Sequence, residues 1–125
     1  MEIAYPIFVR AKDDLMVEMI ESPRDLGRYD YIDVEDGLFA GWDVNGVPFQ
    51  LRIDEGKTSV RAISYERREP QELRKAILQD AQLARPESPF DESGTEGDVV
   101  QLYRAVRAHI RQGRFRRWVR RKFRR

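Results

Sequence analysis

Three carboxylates in the first half of the chain, Asp33, Glu35 and Asp43, are spaced so that they could act together. Asp33 and Glu35 alternate with Ile32 and Val34, and Asp43 follows Trp42. On neighbouring strands that alternation puts all three on one polar sheet face. Gathered carboxylates suit acid–base or nucleophile work of the glycosidase type. They also suit a hard cation held through oxygen, or a basic protein surface. An antiparallel sheet ordinarily keeps one face in water, so the acids alone do not establish catalysis. No acid–base pair can be assigned among them. The reading taken is a partner-binding acidic face in a protein that is not an enzyme and needs no cofactor.

Other chemistry is thin. His109 is the only histidine and lies beside Ile110 in a basic helical stretch, where a surface or interface role is ordinary. Cysteine is absent, which excludes disulfides, thiol catalysis and cysteine-based metal sites. The acids lack the spacing of a calcium loop, and no metal site is expected. The eight glycines sit at turn and linker positions and form neither a phosphate loop nor a dinucleotide fingerprint.

The last fifteen residues carry a different pattern. Residues 111–125 hold nine Arg or Lys and no acid, while the preceding 110 hold 14 basic and 22 acidic residues, a net of −8. Within residues 13–55 there are 12 acids against three Arg, a net of −9. In the tail Arg116, Arg117, Arg120, Arg121, Arg124 and Arg125 recur in pairs every four residues. Phe115, Trp118, Val119 and Phe123 fall between them. On a helix this is a basic face and an aromatic stripe. Three uses compete. Arg116, Arg117, Trp118, Arg120, Arg121 and Arg124 suit a polyanion, with Arg on phosphate and Trp against a base. The same helix suits peripheral contact with an anionic membrane. Or the aromatic stripe packs on the domain, since burying one large aromatic is worth roughly 1.5–3 kcal/mol.

These groups need a scaffold. A chain of 125 residues is one domain by length. No run approaches the ~20 apolar residues of a membrane span. The opening Met-Glu-Ile-Ala-Tyr-Pro lacks the basic and apolar regions of a secretory signal, so a cytoplasmic protein is expected. Tyr5, Ile7, Val9 and Ala11 alternate with Pro6, Phe8, Arg10 and Lys12 and predict a strand, followed by a second over residues 15–20. Ser22-Pro23 predicts a short helix ending near Tyr29. Residues 30–65 read as an antiparallel meander turned by Asp36-Gly37, Asn45-Gly46 and Glu55-Gly56. Pro48 belongs at a strand start or an edge. Leu73, Ile77, Ala81 and Ala84 then recur at helical spacing, and Val99, Leu102, Tyr103, Val106 and Ile110 form a second helical stripe. Residues 85–97, rich in Pro, Gly, Ser and acid, read as an exposed linker.

The fold predicted is α+β: an antiparallel meander of five or six strands, then two helices on one face, with residues 111–125 as a basic amphipathic C-terminal helix. The apolar sides of Val34, Trp42, Phe49, Leu51 and Ile53 are expected to share its core. The runs Pro6-Ile7-Phe8-Val9-Arg10-Ala11-Lys12-Asp13-Asp14, Tyr31-Ile32-Asp33-Val34-Glu35-Asp36-Gly37 and Gly41-Trp42-Asp43-Val44-Asn45-Gly46 resemble the N-terminal halves of short uncharacterised bacterial proteins. In size and style they are similar to the immunity proteins of toxin systems. That resemblance implies a binding module whose acidic face masks a basic protein such as a nuclease toxin. The alternative is a nucleic-acid-binding accessory protein acting through the tail.

Overall fold

Period-two alternation builds the first half of the chain into a sheet. A computed structural model describes the backbone of residues 2–123 and the side chains of residues 2–113. Five strands form: β1 (Ile7–Ala11), β2 (Val17–Ile20), β3 (Phe39–Asp43), β4 (Pro48–Asp54) and β5 (Lys57–Ala62). All pairings are antiparallel and the order is β2-β1-β3-β4-β5. A 3-10 helix (Pro23–Arg28) and helix α1 (Tyr31–Glu35) connect β2 to β3. Helices α2 (Pro70–Ala84) and α3 (Val99–Phe123) follow, giving an α+β fold. Among the described residues no helix is long and apolar enough to cross a membrane.

Turn chemistry sets the register. Glu55 and Gly56 both have positive φ, 51° and 78°, which is what a two-residue hairpin between Asp54 and Lys57 requires. Pro48 opens β4, where its missing N–H costs nothing. Gly41 has a steric reason: a Cβ there would lie 1.8 Å from the Phe8 carbonyl oxygen on β1.

Residues 31–35 depart from the expected meander. They form α1 because Asp30 caps it, its carboxylate accepting from the N–H groups of Ile32 at 2.9 Å and Asp33 at 3.2 Å. Gly37, at φ +73°, ends the turn instead of opening a hairpin. Val34 is buried and Ile32 is 65% exposed, so the two no longer share a face.

The chain divides into two compact units, residues 1–76 and 77–125. In the first, one sheet face carries a core of Ile7, Val9, Ile20, Leu26, Val34, Phe49 and Leu51. Trp42 is not part of it. Its partners in register are Phe8 and Pro48, whereas Phe49 pairs with Gly41, so Trp42 points to the opposite face.

In the second unit Leu102, Val106 and Ile110 form a buried stripe on α3, at i, i+4 and i+8. Asp98 starts α3 by accepting from Val100 N–H at 2.9 Å and Gln101 N–H at 3.3 Å. Asp80 of α2 is ion-paired with Arg107 of α3. Arg85 is 7% exposed and donates to the His109 carbonyl at 2.8 Å. Gly113 leaves it room, since a Cβ there would lie 2.5 Å from Arg85 Cδ, and α3 runs on through this glycine.

Candidate functional site

The acidic sheet face does not form. Asp33 and Glu35 belong to α1, where the local cap at Asp30 wins over strand alternation. Asp43 is on β3 but 1% exposed. Its carboxylate accepts from three backbone N–H groups: Ala4 at 3.0 Å, Asn45 at 2.9 Å and Val47 at 2.9 Å. Those bonds hold the β3–β4 turn and the N-terminal segment together, and they leave Asp43 no surface to offer. The other two acids of the predicted site, Asp33 and Glu35, lie on α1 and not on a strand beside Asp43.

The sheet face opposite the core buries Phe8, Val17 and Pro48 at one end, and its exposed part is basic. Register places Arg10 opposite Ala40, Ala40 opposite Gln50, and Gln50 opposite Arg61. Arg52 pairs with Ser59 and Lys57 with Asp54 in the neighbouring rows. Lys12 follows Arg10 by two residues and shares its face by alternation. Lys12, Arg52, Lys57 and Arg61 are exposed and Arg10 is half-buried. Among the described residues none of these five cations forms an ion pair. The acid at this end of the face, Asp54, accepts from the Ser59 hydroxyl at 2.6 Å.

A cavity of about 300 Å³ opens on the same face. Arg10, Lys12, Leu15, Trp42, Ile63 and Glu69 supply its side chains of interest. The Arg10 guanidinium lies 5.6 Å from the centroid of the Trp42 ring, within range of a cation–π contact. The Trp42 indole N–H donates to Glu69 Oε1 at 3.0 Å, and Arg67 pairs with the other Glu69 oxygen. The indole N–H first, and Arg67 after it, hold the Glu69 carboxyl below its usual range. The carboxylate therefore stays charged and keeps the indole in one orientation. Leu15 and Ile63, 37% and 59% exposed, form an apolar rim.

A second cavity of about 380 Å³ runs between Glu35, Asp36 and Gly37 on one side and Gln50 and Arg52 on the other. Gln50 bridges it by donating to the Gly37 carbonyl at 3.4 Å. Glu35 thus faces a cation of the sheet across a groove.

His109 has a packing role. Its Nε2 lies 3.0 Å from the Ser88 carbonyl and Phe90 meets its ring edge-on, so it ties the 85–97 segment to α3. Among the described residues no group of three or more His, Asp or Glu could hold a metal ion. Arg116, Arg117, Trp118, Arg120, Arg121 and Arg124 lie outside the residues whose side chains are described.

The basic face was readable in principle. Arg10 and Lys12 alternate with Val9 and Ala11, Arg52 sits between Leu51 and Ile53, and Arg61 between Val60 and Ala62. The excess of acid in the body hid it. No protein-family model, curated protein or solved structure matches the chain.

Proposed function

We propose that this chain is a non-enzymatic binding module that holds nucleic acid on the polar face of its sheet. The observation that carries the reading is a set of cations on this face that form no ion pair among the described residues: Arg10 and Lys12, which line the Trp42 cavity, and Arg52 and Arg61 on β4 and β5. Arg presents a planar fork suited to phosphate, and three of the four are Arg. The basic tail adds nine further cations by sequence. Both surfaces favour the same sign of partner.

Salt dependence tests it. Binding of a labelled single strand weakens steeply as salt rises, with a log–log slope of about 0.7 per phosphate neutralised. Replacing Arg10, Lys12, Arg52 and Arg61 together by Gln lowers that slope by about 2–3. Replacing Arg116, Arg117, Arg120 and Arg121 by Gln in the full chain measures the tail's share. Absence of any mobility shift or anisotropy change at low salt defeats the proposal.

A second reading has its own observation. On α1, Tyr31 and Ile32 are 49% and 65% exposed and stand among Asp33, Glu35 and Asp36. Apolar residues framed by acid suit a basic protein, the partner of an immunity-type module. Its site is α1, not the sheet. Converting Asp33 and Glu35 to Asn and Gln separates the two, because it weakens a basic partner and strengthens or spares nucleic acid.

A further inference from the structure

Resting on the nucleic-acid reading, we infer that the Trp42 cavity receives one unpaired base, which makes the sheet face selective for single strands. The cavity's lining combines three chemistries in a small volume. Trp42 and Pro48 give flat apolar walls, with Leu15 and Ile63 at the rim. Arg10 and Lys12 bring positive charge to one side. Glu69 brings a carboxylate that is already oriented by the indole N–H.

An inorganic anion would meet Arg10 and Lys12 but leave the apolar wall unused and face the charge of Glu69. A plain apolar ligand would leave all three charges unused. A nucleotide answers each: a flat body for the walls, a phosphate for the cations, and base-edge N–H groups for the carboxylate. Carboxylates accept from such amino groups in base readout. The Arg10 guanidinium also offers a plane on which a base can stack. At about 300 Å³ the cavity is at the small end of ligand sites and fits one base.

The neighbouring cations extend the track. Neighbouring strands are ~4.8 Å apart, so Lys12 and Arg52 stand roughly 10 Å apart across the sheet and Arg10 and Arg61 roughly 14 Å. A single strand crossing the face therefore meets cations on both sides of the inserted base. A duplex keeps its bases stacked and paired and can offer the face only its phosphates.

The test uses the full chain and a labelled twelve-nucleotide strand, alone and as a duplex, at one low salt concentration. Expected is binding of the single strand about tenfold tighter than the duplex, the scale of one stacked base. Ile63→Glu fills the exposed rim with negative charge. It should weaken the single strand about tenfold and the duplex far less. Trp42→Phe should weaken the single strand in the same selective way with the fold retained by circular dichroism. Equal affinity for the two forms, with both variants acting on them alike, overturns the base pocket and leaves the polyanion reading standing. Competition by polyglutamate at the same charge concentration, as effective as an oligonucleotide, overturns it in favour of an acidic protein. No salt-dependent binding of either form removes both readings.

Discussion

Removing the carboxylate of Asp43 should cost the protein a large part of its stability without touching a binding surface. The side chain is 1% exposed and accepts from three N–H groups, of Ala4, Asn45 and Val47. In Asp43→Ala all three lose their acceptor. A buried donor left unsatisfied costs about 1–3 kcal/mol. The Val47 bond is fully buried and takes the upper part of that range. The other two are partly buried, so water recovers some of their loss. The sum is about 4–5 kcal/mol, against a total of roughly 5–15 kcal/mol for a domain of this kind. Asp43→Asn is milder. Its carbonyl oxygen can keep the Asn45 and Val47 bonds, while its amide turns a donor toward the Ala4 N–H, for about 1–2 kcal/mol. Urea unfolding followed by Trp42 emission, in a Trp118→Phe background, reads both. With a slope of about 2 kcal/mol per molar, Asp43→Ala moves the midpoint down by roughly 2–2.5 M and Asp43→Asn by roughly 0.5–1 M. Equal costs for the two variants, or a shift below about 0.3 M for Ala, would refute the three-bond account.

Glycine replacements separate close contact from open space. Gly41→Ala drives a Cβ to 1.8 Å from the Phe8 carbonyl oxygen and 2.9 Å from its carbon, both backbone atoms that cannot swing aside. β1 and β3 must part, and a loss above about 4 kcal/mol is expected, seen as the disappearance of a cooperative Trp42 transition. At Gly27 an added Cβ meets nothing within 4 Å and φ is not positive. Gly27→Ala is therefore expected to raise the thermal midpoint slightly, by the roughly 0.4–1 kcal/mol that unfolded-chain entropy supplies. The pH response carries a third test. The folded Glu69 carboxyl titrates below its ordinary 4.5, mainly through the Trp42 N–H. A depressed folded value means its contribution is complete above the unfolded pKa and is lost as pH falls through the folded one. Glu69→Gln, which keeps an acceptor for the indole, should flatten stability against pH in the acid range below that value. An unchanged profile would show that the bond does not couple to ionisation.

Local patterns in the sequence specified much of the sheet. Ile7, Val9 and Ala11 against Phe8 and Arg10, and Phe49, Leu51 and Ile53 against Gln50 and Arg52, give β1 and β4 directly. Glu55-Gly56 gives a hairpin because both residues take positive φ. The miss at residues 31–35 has a definite cause. Ile32 and Val34 alternate as a strand would, but Asp30 with Asp33 in the first turn and Gly37 after the last is also a helix start and stop. Five residues are too few for periodicity to choose, and the cap decides. The face of Trp42 was hidden for another reason. Alternation within β3 and within β4 was clear, yet the relative parity of the two strands depends on the residue count of the turn between them. Asp43 N–H bonds Val47 and Gly46 N–H bonds Asp43, which sets Trp42 against Pro48 and not against Phe49.

Net charge misled for a reason that reaches beyond this site. Five of the 22 acids of the body, all Asp, are spent on backbone N–H groups close by. Asp14 holds Met16, Asp30 holds Ile32 and Asp33, Asp43 holds Asn45 and Val47, Asp91 holds Ser93, and Asp98 holds Val100 and Gln101. Short carboxylates reach these groups, so Asp collects at turns and helix starts. Arg and Lys have no acceptor to offer an N–H and reach too far to serve as caps. On strands they stand out from the polar face with their charge in water. An acidic composition and a basic sheet face are therefore compatible, because several of the short acids serve turns and helix starts while the cations of β1, β4 and β5 stand on the sheet. On this sheet the cations of the exposed face stay outside any ion pair among the described residues, and that is the charge on which the proposed nucleic-acid reading rests.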